Sequence, residues 1–538
     1  GGFDCVLGNP PWERIKLLEK EFFAARSEAI ATAQNKAARE RLIQELRQRA
    51  KQIQDQSEEP SKHPDVIMVR EFDLAKREAE GSGEFIRGSG RFDLTAVGDL
   101  NTYALFAEHF LNLIGPQGRA GLIVPTGIAT DNSTKAYFDD ISSRGRLLSL
   151  FDFENREGLF PAVDSRMKFA LLTLSENVSA TDFVFFATAV NQLADQARHF
   201  TLSADDIALI NPNTRTCPVF RSQMDAELTK KIYSQVPALV DETNKRKIDR
   251  CNIRIHSRLI HMAEDSHLFL DRPSEDTLPL YEAKLIHHYD HRWATYEADE
   301  SNRDVNLAEK QDHDFRVTPR YWVKRSEVEA RLRAQGWDHR WLLGWRDICR
   351  STDERTVIFC VMPYSAIGHT IPVMFPGRES QVLACLLGNF SSLILDFCGR
   401  NKIGGTHLTY TYLKQLPVLP PSAYDSAAIA FIHPRVLELT YTSHDLKPWA
   451  QDLGYDGPPF RFDPERRALL RAELDAYYAH LYGLSRDELR YILDPSDLMG
   501  PDYPSETFRV LKTNEQRQFG EYRTQRLVLE AWDRLFGG

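Results

Sequence analysis

Hydrophobic and polar positions along the 538-residue chain change period several times. Residues 3–7 (FDCVL) form a short apolar run closed by Gly8 and two prolines, which predicts a buried strand. From Glu13 to about Ser57, Ile15, Leu18, Phe22 and Ile30 recur at helical spacing among Ala, Glu, Lys, Arg and Gln. That pattern predicts a charged helix. SEEPSKHP breaks it, DVIMVREFDLAKREAE predicts a second helix, and GSGEFIRGSG (residues 81–90) predicts a loop. Residues 13–95 therefore read as a helical arm inserted after the opening strand.

Beyond the arm, helices and strands alternate. NTYALFAEHFLNLI predicts a helix, Gly115-Pro116-Gln117-Gly118 a turn, and RAGLIVP a buried strand. STKAYFDDISSRG predicts a helix capped by Ser133 or Thr134. LLSLFDFE and FALLTLS predict two strands that can pair as a hairpin across NREGLFPAVDSRMK. This alternation suits an α/β fold, part of a doubly wound (Rossmann-like) sheet. The expected organisation is a domain over 1–190 containing the 13–95 insertion, a mixed α+β region over 191–440, and a helical region over 441–538. In the last, Asp463-Pro464 is a good N-cap and first-turn pair, and Ser485 with Glu488 forms a capping-box pattern.

Composition narrows the class. The apolar share of 42% and charged share of 27% are those of a globular protein. No run approaches the roughly 18 apolar residues that span a bilayer, so no membrane partner is expected. Seven cysteines (5, 217, 251, 349, 360, 385 and 398) stand singly, without metal-ligand spacing. Free thiols in a reducing cytoplasm and no metal are the expectation. A net charge of −10 argues against uniform coating of nucleic acid but leaves room for a local basic cleft.

The candidate chemistry lies at Asn9-Pro10-Pro11-Trp12. An exocyclic amine is a poor nucleophile because its lone pair is delocalised into the ring. An amide oxygen and a backbone carbonyl, both accepting hydrogen bonds from the amine, favour a pyramidal nitrogen. Asn9 can supply the first and Pro10 the second, and Pro11 stiffens the backbone without adding a donor. Trp12 offers a flat surface to a base turned out of a helix, worth about 1–3 kcal/mol of stacking. A ligand site at the carboxyl end of a strand is where an α/β sheet binds.

FDCVLGNPPW resembles motif IV of the amino-methyltransferases that modify adenine N6 in DNA. DLNTYALFAEHFLNLIGPQGRAGLIVPTGI is similar to their next helix and strand, and LFDFENREGLFPAVDSRMKFALLTL to their motif VIII region. PLYEAKLIHHYDHRWATY, WRDICRSTDERTVIFCVMP, GRNKIGGTHLTYTYLKQLPVLPP and FGEYRTQRLVLEAWDRL look like large single-chain restriction–modification or phage-defence (DISARM-like) methylases. The resemblance implies methyl transfer from S-adenosyl-L-methionine to a flipped adenine stacked between Trp12 and Phe160. It makes 191–440 a target-recognition domain, with double-stranded DNA and other restriction or defence-system subunits as partners.

The same resemblance implies a glycine-rich cofactor loop ahead of motif IV, expected upstream of Gly1. The glycine-rich stretch 81–90 follows no apolar strand and is a weak substitute. Without that loop the isolated chain is expected to be inactive. For DNA contact, Arg320, Lys324, Arg325 and Arg346 alternate with aromatic residues. Lys402, Gly404, Gly405, Thr406, His407 and Tyr410 form a second candidate segment. Two other readings stand beside the leading one: cytosine-N4 methylation, and a DNA-binding specificity module whose catalytic half lies on another chain. Asp276, Glu282 and Lys284 match a nuclease pattern only loosely, and His287, His288, Asp290 and His291 read as a polar loop near DNA.

Overall fold

The structure is a computed structural model that describes residues 1–34, 36–56, 59–243, 248–377, 380–403 and 405–537. It is a mixed α/β protein of two compact units, Gly1–Val190 and Asn191–Gly538.

In the first unit five strands lie in the order β1-β2-β4-β3-β5: β1 Phe3–Gly8, β2 Ile114–Pro125, β3 Leu147–Glu154, β4 Lys168–Leu174 and β5 Thr181–Ala187. β1 runs parallel to β2 and β3 parallel to β5, while β4 is antiparallel to both β2 and β3. The expected hairpin is thus present as β3–β4, with β4 inserted beside β2. The expected turn at residues 115–118 is instead a bulge within β2, because Phe3 pairs with Ile114 and Cys5 with Arg119.

Among the described residues seven α-helices accompany these strands: α1 Glu19–Ala24, α2 Glu28–Ala31, α3 Lys36–Gln56, α4 Pro64–Gly88, α5 Thr102–Leu113, α6 Gly127–Thr130 and α7 Lys135–Ser143. The α5 and α7 segments cross from one parallel strand to the next. Right-handed crossovers in the same direction place both on one face, and the Tyr137 hydroxyl of α7 donates to the Ala107 carbonyl of α5 at 3.2 Å. Under them lie Ala120, Leu122, Val124, Leu150, Ala170 and Leu172, all buried.

The opposite face is less covered, since Ile123, Leu171 and Thr173 are only half-buried. β1 departs furthest from expectation. Among the described residues it pairs with β2 alone, and Phe3 and Leu7 are 60% and 77% exposed. It is an edge strand with apolar side chains in the open, not a buried one.

The arm has its own small core of Phe23, Ile30, Ile43, Leu46 and Phe72. The single long helix expected from Glu13 is divided into α1, α2 and α3. The expected loop at 81–90 is helical as far as Gly88, where α4 ends. Helical neighbours outweigh the propensity cost of Gly81, Gly83 and Gly88, about 1 kcal/mol each. Several arm cations are paired, as in Arg26–Glu71, Arg39–Glu19 and Arg49–Asp65.

The second unit holds a four-stranded antiparallel sheet in the order Phe359–Pro363, Trp341–Trp345, Val373–Pro376, Ile253–His256. A three-stranded sheet is made by Trp322–Lys324, Thr277–Tyr281 and Ala366–Ile367. Residues 441–538 belong to this same unit, where helix Pro464–Leu481 packs against Arg523–Phe536. Asp463 and Ser485 cap their helices as the sequence predicts. No single helix among the described residues is long and apolar enough to cross a membrane.

Candidate functional site

The parallel strands β1, β2 and β3 all end on one edge of the sheet, where β4 begins. Gly8 pairs with Leu122, and Pro125 and Phe153 both pair with Phe169. Asn9 follows immediately after β1, so the Asn-Pro-Pro-Trp turn sits at this carboxyl edge.

The turn is tied down from behind. Residues 13–16 run antiparallel to 99–102: the Ile15 N–H donates to the Leu100 carbonyl and the Thr102 N–H to the Glu13 carbonyl, each at 2.9 Å. The Thr102 hydroxyl donates to the Pro11 carbonyl at 2.5 Å and accepts from the Glu13 N–H at 3.0 Å. Lys16 closes the end with an ion pair to Asp99. The start of α5 therefore fixes the turn to a residue about 90 positions away.

Its front is uneven, with Asn9 exposed and Pro10 buried. The Asn9 side chain is exposed, and among the described residues neither its amide nor the Pro10 carbonyl has a hydrogen-bond partner. The neighbouring Pro11 carbonyl is the one that is engaged. Trp12 is half-buried, and its Nε1 is buried with no partner among the described residues. An unpaired buried N–H costs about 1–3 kcal/mol, which the turn tolerates.

Phe160 lies in the loop between β3 and β4, 37% exposed, with its ring edge-on to Phe169 at 5.1 Å. Asn155 holds that loop: its Nδ2 donates to the carbonyls of Phe160 and Val163 at 3.0 and 2.9 Å, and its Oδ1 accepts from the Phe160 N–H at 2.9 Å. Phe169 is two strands from β1, roughly 10 Å at ordinary strand spacing.

The edge is polar and electrically uneven. Asp152 is buried and accepts from the Thr126 hydroxyl and the Phe186 N–H. Burial raises its pKa, against the pull of Lys168. Glu154 is paired with Arg156 and Lys168. Tyr103 in the first turn of α5 is pushed up to about 12, by burial and then by the Asp131 carboxylate. Thr102, which holds the turn, and Asn155, which holds the Phe160 loop, are residues that sequence reasoning missed. Only Asn155 had a local signal, a polar residue closing an apolar strand.

The described residues do not make a cradle for S-adenosyl-L-methionine. In residues 81–88 the backbone N–H groups belong to α4, and a helix spends its N–H groups on its own carbonyls. Among the described residues no other glycine-rich turn lies at the carboxyl edge.

In the second unit the predicted DNA-contact residues separate into two groups. Ile348 bridges His407, the Cys349 N–H donates to the Thr406 carbonyl at 3.0 Å, and the Leu408 N–H to the Asp347 carbonyl at 2.7 Å. This joins the segment after Trp341–Trp345, which carries Arg346, to the segment carrying Gly405, Thr406, His407 and Tyr410, all four of which are exposed. His407 Nδ1 is 2.8 Å from Asp347. Arg320, Lys324 and Arg325 lie instead at the three-stranded sheet, with Arg320 paired to Glu300 at 2.8 Å.

Three expectations need correction. Lys402 is 3% exposed, its ammonium on the Ile210 carbonyl and Asn211 Oδ1, and burial lowers its pKa to about 7. It is a core residue, not a DNA contact. Arg346 is half-buried, with Nε sequestered and unpartnered among the described residues. His288, Asp290 and His291 are buried rather than on a polar loop: Asp290 pairs with Lys310 at 2.6 Å and His291 with Asp445 at 2.9 Å. Gly404 lies outside the described residues.

No protein-family model and no curated protein matches the chain. Among solved structures, it is similar to the type IIG restriction endonuclease BpuSI at 13% identity and a TM-score of 0.26, covering 77% of this chain and 52% of that one. It is also similar to the type IIL restriction-modification enzyme MmeI in complex with DNA, at 11% identity and a TM-score of 0.39, covering 83% and 55%. At these scores the alignments do not establish a shared fold. The chain spans about half the length of each.

Proposed function

We propose that this chain is the acceptor-side half of a site-specific DNA adenine-N6 methyltransferase, joined to a target-recognition region. The observation that carries the reading is the pair of unpartnered acceptors, the exposed Asn9 Oδ1 and the carbonyl of the buried Pro10, at the carboxyl end of β1 on a turn anchored by Thr102. Together they accept both hydrogens of an exocyclic amine and free its lone pair. Trp12 and Phe160 flank the place where the flipped ring stacks. Strand order β1-β2-β4-β3, with one antiparallel member, supports the reading of a Rossmann-like methyltransferase sheet. The bare edge of β1 and the thinly covered second face are where the remaining strands and helices of such a domain would add.

S-adenosyl-L-methionine is the methyl donor in this reading. What this chain contributes is orientation: it fixes the amine, excludes a competing donor at Pro10 and Pro11, and positions the base through stacking. The segment 405–410 and the neighbouring residues 346–350 present polar and aromatic groups to DNA.

The test is transfer of labelled methyl from S-adenosyl-L-methionine to mixed-sequence duplex DNA, with this chain and with the chain extended at its N-terminus. Label on adenine N6 with the extended protein, lost in Asn9→Ala, is the expected result. Salt-dependent DNA binding without label from either protein overturns it in favour of a specificity module.

A further inference from the structure

Two imidazoles of the second unit are held side by side. The rings of His261 and His369 have centroids 4.8 Å apart and planes tilted by 30°. Their segments are joined where Ile260 bridges Gly368. Each ring takes a backbone N–H at Nδ1, His261 from Glu264 at 3.1 Å and His369 from Met262 at 3.3 Å.

A ring that accepts at Nδ1 carries its own proton on Nε2. Neither Nε2 has a hydrogen-bond partner among the described residues, and neither is sequestered from solvent. The His261 side chain is 21% exposed, and His369 is half-buried. Burial, then His261 and Arg258, lower the pKa of His369 against the pull of Asp347 and Glu282, so that ring is uncharged at neutral pH. The pair is therefore two N–H donors of fixed tautomer. Among the described residues no group of three His, Cys, Asp or Glu is placed to hold a metal ion.

The carboxylates nearby are occupied or turned to the other side of the ring. Asp265 accepts from the His261 N–H at 2.8 Å and from Arg331 at 3.3 Å. Asp347 meets His407 at 2.8 Å, and Glu282 takes the Tyr296 hydroxyl. Glu264 approaches His261 at Nδ1, at 3.9 Å.

The pair adjoins the exposed segment 405–410. The Thr370 carbonyl, next to His369, accepts from the Asp347 N–H at 3.0 Å, and the Asp347 carboxylate holds His407. Arg258 is exposed, without a hydrogen bond or ion pair among the described residues. It closes the stretch KRKIDRCNIRIHSR (residues 245–258), in which Asp249 is the one acid, within a chain of net charge −10. Residues 245–247 lie outside the described residues. A cationic stretch in an acidic chain is the usual footprint of nucleic-acid contact.

We propose that His261 and His369 read a guanine in the major groove of duplex DNA, each Nε2–H donating to one of its two edge acceptors, N7 and O6. The proposal rests on the reading of this unit as a target-recognition region. Of the four bases, guanine alone offers two acceptors side by side on that edge. Adenine and cytosine present an amino donor that would face a second N–H, and thymine sets one acceptor beside a methyl group. A phosphate also accepts two hydrogen bonds, but it is matched best by charged donors, and this pair carries no charge of its own.

The test is selection of a randomised duplex DNA library on the intact chain, with sequencing of the bound fraction. The bound sequences are expected to share a guanine position. The double variant His261→Asn, His369→Asn keeps an oxygen where each Nδ1 accepts and removes Nε2. It should reduce the preference for that guanine at least about fivefold and leave the other positions unchanged. His261→Gln with His369→Gln, which returns an N–H near the place of each Nε2, should retain part of the preference. Replacing the guanine with 7-deazaguanine should weaken binding by the unaltered chain and not by the Asn variant. Arg258→Gln should instead weaken binding to every sequence alike and make the salt slope shallower by about one. Thermal unfolding checks that each variant is folded.

A folded Asn variant that keeps the guanine preference overturns the proposal, and so does a bound fraction with no selected position. An equal loss on all sequences, with the guanine still preferred, overturns base reading in favour of a phosphate contact. The readout is binding, so an absent methyl label with the guanine preference intact strikes the methyltransferase reading and leaves this one standing.

Discussion

Two polar regions of this molecule treat their hydrogen-bonding groups in opposite ways. At the carboxyl edge of the first unit, the exposed Asn9 amide and the carbonyl of the buried Pro10 are unpartnered among the described residues, while Thr102 bonds the Pro11 carbonyl and the Glu13 N–H behind them. In the second unit, Asp290, His291, Arg292 and Lys310 are buried and bonded to one another or to nearby groups, with Arg292 Nε the unpartnered exception among them. Arg292 donates to the carbonyls of Lys310, Asp312, Phe315 and Thr442. Asp290 meets Lys310, and His291 meets Asp445. Open acceptors on a fixed backbone can act on a ligand. Acceptors already filled inside a core hold the fold together, and removing one member strands a charge in low dielectric. Function and stability should therefore respond separately to mutation in the two places.

The largest effect expected is at Asn9. Asn9→Ala should lower methyl transfer by the extended protein about 10²–10³-fold or more, the scale of losing one oriented polar group. DNA affinity should stay within a few-fold and thermal unfolding unchanged, since the side chain is exposed. A variant that unfolds would break the contrast.

The mirror experiment is Lys310→Met, which leaves Asp290 buried and unpaired. A loss of about 3–5 kcal/mol is expected in urea unfolding. A loss under about 1 kcal/mol would mean that the network is not what holds this region.

Acid sharpens the same point. Burial alone would raise Asp290, but Lys310 and then Arg467 overcome it and hold its pKa at about 2. Asp445 is likewise held at about 2, chiefly by His291. Their stabilisation is present above the usual carboxylate range and is lost as pH falls from about 4 towards 2. Asp475 has the opposite sign. Burial pushes its pKa up to about 6, so its destabilising effect is present above pH 6 and disappears as pH falls through 6 to 4. Urea midpoints between pH 2 and 8 should show both slopes, and Asp475→Asn should remove only the upper one.

Smaller effects are expected where one bond supports the open site. Thr102→Val removes the donor to the Pro11 carbonyl, at a cost of about 1 kcal/mol, and should slow transfer by about tenfold through misplacement of the turn. Least of all, Tyr410→Ala should weaken DNA binding a few-fold with no change in the salt slope, because it carries no charge. A changed slope would mean that the segment acts by reorganising nearby cations.

The opening motif was legible because its information is local. A strand ending in Asn-Pro-Pro-Trp, the hairpin of LLSLFDFE and FALLTLS, and the caps at Asp463 and Ser485 all follow from periodicity and near-neighbour hydrogen bonding. Composition likewise showed a mixed α/β chain with a helical arm. What the sequence could not decide was which polar residues would be left open. Lys402 reads like its neighbour His407, yet one is in the core and the other at the surface, because Ile210 and Asn211, some 190 residues earlier, come to meet the lysine. Thr102 carries no sign that it holds Pro11, and the histidine run after Ile286 gives no hint that Lys310 and Asp445 fill it. Hydrophobic period sets each element, but burial and hydrogen-bond saturation depend on contacts between distant segments. Those contacts exist only once the chain has packed.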